Sequence, residues 1–388
     1  MIRQFIHSFN SLYNTVRISS WRYSFFSFMS GLSYFWLFIN SSVVNAEVVM
    51  LFLLFSATCF GFAALGYFIN DFFDISLDAK AGKTNRISET TPFKKLILFS
   101  VILLITMIPW IGLAANLFSW ILIGIQILLF LLYSLPHLRF KENWLLSAIT
   151  DACYAYVIPT LLSYNTYLLF FENKFSYTIL WLTGSMFFAG FRNILIHQTN
   201  DLMNDKKVGV ITFPQRAGLK KTVVTVWICL TVEVCFYIIF LLKLATQHHF
   251  LYPLIFLYFI SVLINYYKYF SKKNKSGTII QHHFSDHYYQ IWIPLLFLLL
   301  LLTIDFKWCV FLVLHMLVLV PKHAYNSLIS FYRKCVSGLK NIFIKIKFIA
   351  AFLVNNSIYY TLRIVGVDLK KKKKSLLEYL TILFFAER

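Results

Sequence analysis

Long apolar runs alternate with short polar connections from about Tyr23 to about Val320. Residues 96–115 and 291–304 are continuously apolar, whereas the strands of a transmembrane barrel alternate over about ten residues. A helix satisfies its own backbone in lipid. The pattern therefore predicts nine helices at roughly 24–45, 48–69, 96–115, 117–135, 145–164, 177–198, 222–242, 251–269 and 289–306, lengths that suit a bilayer crossing of about 20 residues. The expected fold class is all-α, a polytopic transmembrane helical bundle of about nine helices. Three regions follow: an interfacial N-terminal segment (1–22), a transmembrane domain (23–306) and a basic C-terminal extension (307–388) with room for a tenth membrane segment.

Composition sharpens this picture. The 388 residues are 59% hydrophobic, 19% aromatic and 13% charged, against roughly 25% charged in soluble domains. A soluble enzyme, a disordered tail protein and a disulfide-stapled secreted domain are excluded. The net charge of +20 would suggest nucleic acid in a soluble chain, but no aromatic-interleaved basic groove is visible, and no nucleic-acid partner is expected. The cations follow topology instead. Lys80, Lys83, Arg86, Lys94, Lys95, Arg139, Lys141, Lys206, Lys207, Arg216, Lys220, Lys221, Lys272 and Lys273 fall after the second, fourth, sixth and eighth helices, while the opposite connections hold only Lys174 and Lys243. The positive-inside rule places the basic face in the cytoplasm. Residues 322–388 carry thirteen Lys and Arg, including the run Lys370 to Lys374, which reads as an anchor beside anionic lipid. A tenth crossing, within 308–320 or 342–360, would bring that extension to the same face.

Within so apolar a chain the acids are informative. Five of the sixteen fall in two clusters. The first closes the second helix with Asn70, Asp71, Asp74 and Asp78, which on one continuous helix share a side. The second closes the sixth helix with Asp201 and Asp205. Both read as an Asp followed four residues later by D-x-K-x-G: Asp74 with Asp78, Lys80 and Gly82, then Asp201 with Asp205, Lys207 and Gly209. The offset of four helices suggests an internal duplication whose helix ends face each other across a cavity. Crowded carboxylates repel unless a cation holds them together. Hard oxygen ligands suit Mg²⁺, which binds through carboxylates, waters and substrate phosphates. The predicted ligands are Asn70, Asp71, Asp74, Asp78, Asp201 and Asp205, and the predicted substrate is a diphosphate carrying a membrane-soluble polyisoprenyl tail.

These motifs resemble the UbiA superfamily of intramembrane prenyltransferases, over roughly residues 20–305. The resemblance implies a nine-helix bundle and Mg²⁺-dependent transfer of a prenyl group from a prenyl diphosphate to a hydrophobic or aromatic acceptor, with pyrophosphate released. Tyr133-Ser-Leu-Pro136-His-Leu-Arg139-Phe-Lys141 looks like the family segment after the fourth helix, which implies that Tyr133, Arg139 and Lys141 lie near the diphosphate. Asp205-Lys206-Lys207-x-Gly209-x-x-Thr212-x-Pro214 looks like another, adding Lys206 and Lys207. After Asp78 the chain departs from the family: Lys83-Thr84-Asn85-Arg86 is followed by Ile87 where a proline is usual, and Lys83 and Arg86 are expected diphosphate contacts.

Arg192, His197 and Gln198 precede Asp201 by up to about two turns and are candidates for the acceptor end. For Arg192 the partner is either a substrate anion or an internal one such as Asp151. His197 is a candidate general base or a structural hydrogen-bonder, and Asp151 a candidate acceptor contact. His282, His283, Asp286 and His287 read as a solvated loop. Two alternatives keep the same acidic grip: cyclisation of the prenyl chain and phosphoribosyl transfer to a polyprenyl phosphate. A lipid or ion transporter is the rival of another class. The expected setting is a bacterial cytoplasmic membrane with the site facing the cytoplasm.

Overall fold

A computed structural model describes residues 13–263 and 285–320. Every regular element among them is helical. A short turn of helix (Ile18–Trp21) and a π-helical turn (Arg22–Phe26) lead into α1 (Ser27–Ile39). The chain continues through α2 (Ala46–Phe73), α3 (Ile75–Ala81), α4 (Pro92–Met107), α5 (Leu117–Ser134), α6 (Leu146–Phe170) and α7 (Ile179–Asn200). It closes with α8 (Leu202–Val208), α9 (Leu219–Ala245), α10 (Tyr252–Leu263), α11 (Tyr288–Ile304) and α12 (Cys309–Leu319). Six helices among the described residues, α2, α4, α5, α6, α7 and α9, are long and apolar enough to cross a membrane, and α10, α11 and the segment containing α12 are shorter apolar helices.

Local chemistry sets the ends. Asn45 caps α2 by accepting from the Val48 amide at 2.8 Å, and Thr91 precedes Pro92 at the start of α4. Asn116 and Ser119 form a reciprocal capping box on α5, and Asn165 of α6 donates to both. One polar knot thus caps a helix and ties it to its neighbour.

The bundle packs α7 along α9, α1 along α11, α2 along α4 and α7 along α6. Small residues permit the closest approaches. A Cβ at Gly61 of α2 would stand 2.7 Å from the Thr106 Cα of α4, and one at Gly190 of α7 would stand 2.9 Å from the Ala152 Cα of α6. Inside lies a small apolar cavity lined by Phe28, Phe35, Leu182, Met186, Tyr289 and Phe297, among others.

Beyond α11 the chain turns at Asp305 and packs α12 back onto the bundle. Asp305 accepts from the Val44 and Lys307 amides, and these bonds hold its carboxyl below the usual carboxylate range. The fully buried Trp308 donates its indole N–H to the Ser42 carbonyl at 3.0 Å. Phe311 meets Phe52 edge-on at 5.4 Å and His315 meets Tyr34 at 5.6 Å, so α12 lies against both α1 and α2. The bundle's compact unit ends at Val320.

Candidate active site

The first acidic cluster is not one continuous helix. α2 ends at Phe73, Asp74 adopts φ −97°, ψ 0°, and α3 begins at Ile75. The second cluster repeats this break: α7 ends at Asn200, Asp201 adopts φ −90°, ψ 2°, and α8 begins at Leu202. Each short helix ends on a left-handed glycine, Gly82 at φ 67° and Gly209 at φ 76°. Backbone bonds repeat as well, with the Asp78 amide donating to the Asp74 carbonyl at 2.8 Å and the Asp205 amide to the Asp201 carbonyl at 3.0 Å. The expectation of one shared helix face is therefore corrected: each motif is a long helix, a hinge aspartate and a short helix. The two short helices, α3 and α8, pack against each other.

Around the first cluster each carboxylate already has a donor. Asp71, buried, pairs with Arg17 at 3.2 Å. Asp74 accepts from the Arg139 guanidinium at 3.0 Å and from Lys141. Lys141 also reaches the Asn70 Oδ1 at 3.1 Å, and burial pulls its ammonium below the ordinary lysine range against the opposing pull of Asp74. Asp78 accepts from the Asn85 side chain at 2.8 Å. The same Asn85 nitrogen reaches the Asp71 carbonyl at 2.7 Å, and its oxygen accepts from the Ile87 and Ser88 amides. Ile87 is fully buried.

The second cluster is less occupied. Asp201 faces His197 at 3.6 Å, and the His197 ring is 66% exposed. Burial, with Asp201 adding to it, pushes the Asp205 carboxyl up to about 6, while Lys83 and His197 pull the other way. Lys83 thus acts across from the first motif to the second. No three acidic or histidine side chains among the described residues converge as a ready-made metal cage.

Between the clusters and the bundle interior, Tyr133 meets Tyr154 edge-on at 5.4 Å, and Tyr154 donates to Asp151. Asp151 lies within electrostatic reach of His197.

Other expected contacts are placed differently. Arg192 does not await a substrate anion, nor is its partner Asp151. Fully buried, it donates to Glu233 at 3.0 Å, to Asn193 at 2.7 Å and to Ser285 at 2.6 Å, with Asp286 at 3.7 Å. Gln198 is also consumed internally, donating to Ser147 at 2.9 Å and accepting from the Phe213 amide at 3.2 Å. Arg86 and Lys206 are exposed. His282, His283 and the Lys207 side chain lie outside the described residues, and Asp286 accepts from Asn193 at 2.9 Å.

Sequence reasoning missed three participants. Glu233 carried a readable signal, an acid within the apolar run 222–242. Arg17 and Asn85 carried none that separated them from other loop residues, because their importance comes from the fold that brings them to Asp71 and Asp78.

Comparison with known proteins bears on this arrangement. A search of curated proteins finds no match. Among solved structures, a UbiA homolog from Archaeoglobus fulgidus bound to GPP and Mg²⁺ is similar, with 15% identity and a TM-score of 0.56 over 76% of this chain and 99% of that one. The same homolog bound to DMAPP and Mg²⁺ gives 13% identity and a TM-score of 0.54 over 76% and 98%. Its Cd²⁺-bound structure gives 16% and 0.53 over 76% and 98%. At such identities the likeness establishes the shared fold. The model of the UbiA prenyltransferase family matches residues 27–285, well over half of the chain. With that match covering the helical bundle and both aspartate motifs, this chain belongs to the UbiA prenyltransferase family.

Proposed function

We propose that the protein is a Mg²⁺-dependent prenyltransferase that moves a prenyl group from a polyprenyl diphosphate to a hydrophobic acceptor, an aromatic acid or quinone precursor, and releases pyrophosphate. The observation that carries this reading is the packing of α3 against α8, which brings two aspartate motifs together at one end of the bundle. The donor set is hard oxygen throughout, as Mg²⁺ requires. Burial and the neighbouring Asp201 push the Asp205 carboxyl up to about 6, and a bound cation would favour its ionised form. The Archaeoglobus fulgidus homolog, bound to GPP or DMAPP with Mg²⁺, supports the same substrate class.

Asn70, Asp71, Asp74, Asp78, Asp201 and Asp205 would hold the metal. When bound, it supplies Lewis-acid neutralisation of the charge that grows on the departing diphosphate. Arg139, Lys141 and Lys83 add fixed positive charge beside the same oxygens. The apolar side chains of α1, α7, α9, α10 and α11 that line the small interior cavity have the chemistry to face an isoprenoid chain. Asp151, hydrogen-bonded by Tyr154 and near His197, suits the acceptor end, where a base takes the acceptor's proton as the new bond forms. The excess of Lys and Arg in the connections at that end supports a site that faces the cytoplasm, in our reading that of a bacterial inner membrane.

The test incubates purified protein with Mg²⁺, labelled geranyl, farnesyl, geranylgeranyl and longer diphosphates, and a lipid extract. Pyrophosphate release is measured and labelled products are identified by mass spectrometry. A Mg²⁺-dependent adduct lost in Asp74→Asn and Asp201→Asn is expected. A cyclised hydrocarbon alone would reassign the chemistry to cyclisation. Folded protein that releases nothing from any donor would turn attention to phosphoribosyl transfer or transport.

A further inference from the structure

Arg17 stands apart from the other cations at the first acidic cluster. Arg139 and Lys141 are largely buried, with 15% and 12% of their side chains exposed. Each is also pinned by several protein acceptors: Arg139 by the Phe73 carbonyl, Asp74 and Glu142, and Lys141 by Asn70 and Asp74. The Arg17 side chain is 48% exposed, binds a single carboxylate oxygen of Asp71, and stacks over the Tyr67 ring at 5.0 Å. Its guanidinium can therefore leave Asp71 without breaking a network.

The backbone beneath it is held firmly. Val16 and Trp21 are buried, the Trp21 indole donates to the Val16 carbonyl at 2.9 Å, and its ring meets Phe60 edge-on at 5.0 Å. Arg17 itself adopts φ 52°, ψ 40°, a conformation that disfavours any residue with a Cβ. Arg139, the other arginine at this cluster, is also left-handed, at φ 32°. The fold thus holds an unfavourable backbone conformation at the residue whose side chain lies on Asp71.

Resting on the metal-dependent reading above, we propose that Arg17 is a placeholder cation. It neutralises Asp71 while the cluster lacks metal, competes with metal for that carboxylate, and on displacement turns its guanidinium to the diphosphate. A planar guanidinium suits the second task, since its paired N–H groups match two phosphate oxygens where an ammonium offers a point charge. No covalent step is involved.

Arg17→Gly is the informative variant because glycine accepts the left-handed backbone. Mn²⁺ binding by electron paramagnetic resonance and inorganic pyrophosphate binding by calorimetry with Mg²⁺ present are measured on the full chain in detergent. Thermal unfolding confirms that the variant is folded. Arg17→Gly should bind Mn²⁺ about two- to five-fold more tightly, the range expected on losing a half-exposed ion pair. It should bind pyrophosphate roughly tenfold more weakly, as on losing a charge-assisted hydrogen bond. Arg17→Lys should restore the competition with Mn²⁺ but not the pyrophosphate affinity. A folded Arg17→Gly protein that leaves either affinity at the wild-type value overturns the proposal while the metal-dependent reading stands. Wild-type protein that binds neither Mn²⁺ nor pyrophosphate overturns both.

Discussion

Arg192 of α7 and Glu233 of α9 form a fully buried ion pair with 3.0 Å between Nε and Oε2. The pair joins the two helices that pack most extensively and recruits Ser285 and Tyr258, both of which donate to Glu233. Breaking a buried pair by removing one partner leaves an uncompensated charge and costs about 3–5 kcal/mol, whereas replacing both with apolar groups of similar volume is often neutral. Arg192→Met alone should therefore lower the unfolding temperature sharply, and Arg192→Met with Glu233→Leu should recover most of the loss. Circular-dichroism melts of the single and double variants check this. A single variant that melts with the wild type would show that the pair does not stabilise the bundle.

The Asp205 carboxyl predicts a pH dependence. Its folded value is about 6, above the roughly 3.9 of a free aspartate. Between those values the folded state binds more protons than the unfolded one, so without metal this group's contribution to stability falls as pH rises through that window. Metal needs the ionised carboxylate. Thermal stabilisation by Mg²⁺ should accordingly be full at pH 7.5 and shrink as pH falls through about 6. Asp205→Asn should remove that dependence. Equal stabilisation by Mg²⁺ at pH 5 and pH 7.5 would contradict the assignment.

Asn85 touches both the Asp71 carbonyl and the Asp78 carboxylate. Groups that orient metal ligands typically contribute 10–100-fold to metal affinity. Asn85→Ala should raise the Mg²⁺ concentration for half-maximal turnover by roughly that factor. The turnover at saturating Mg²⁺ should change far less, and a Mg²⁺ titration of activity separates the two.

The contact between α12 and the bundle predicts opposite effects for two of its residues. Trp308 is fully buried and hydrogen-bonded to Ser42, so Trp308→Ala should destabilise the protein by about 3–5 kcal/mol. His315 is 2% exposed; its Nδ1 meets the Tyr34 hydroxyl only at the long distance of 3.5 Å, and its Nε2 has no hydrogen-bond partner among the described residues. A buried polar atom left unpaired costs about 1–3 kcal/mol, so His315→Leu should hold or raise the melting temperature. A marked loss on His315→Leu would mean that the ring does more than fill space.

How much of this was legible in the sequence differs by level. Apolar runs fixed the positions of the helices because lipid makes a continuous demand on every residue in a span. Helix ends were less legible: α2 runs to Phe73 and α9 to Ala245, past the expected 69 and 242, since polar residues continue a helix once it has left the apolar layer. The paired D-x-K-x-G signatures pointed to two equivalent helix ends, and the contact between α3 and α8 joins them. The break at Asp74 was hidden because i, i+4 spacing looks the same whether the helix continues or restarts. Arg192 showed the limit most clearly, as its cost in the membrane was readable but its partner, forty-one residues away on α9, was not.

The hinge aspartates also separate two kinds of evolutionary change. α3 and α8 contact each other beyond their breaks, so on the proposed reading the diphosphate end is set by a local pair of short helices and not by the depth of the bundle. Side chains lining the interior can then drift in size, lengthening or shortening the space for a tail or admitting a different acceptor, while the acidic end keeps its register. On that reading, one scaffold can diversify its products without rebuilding the part that breaks the bond.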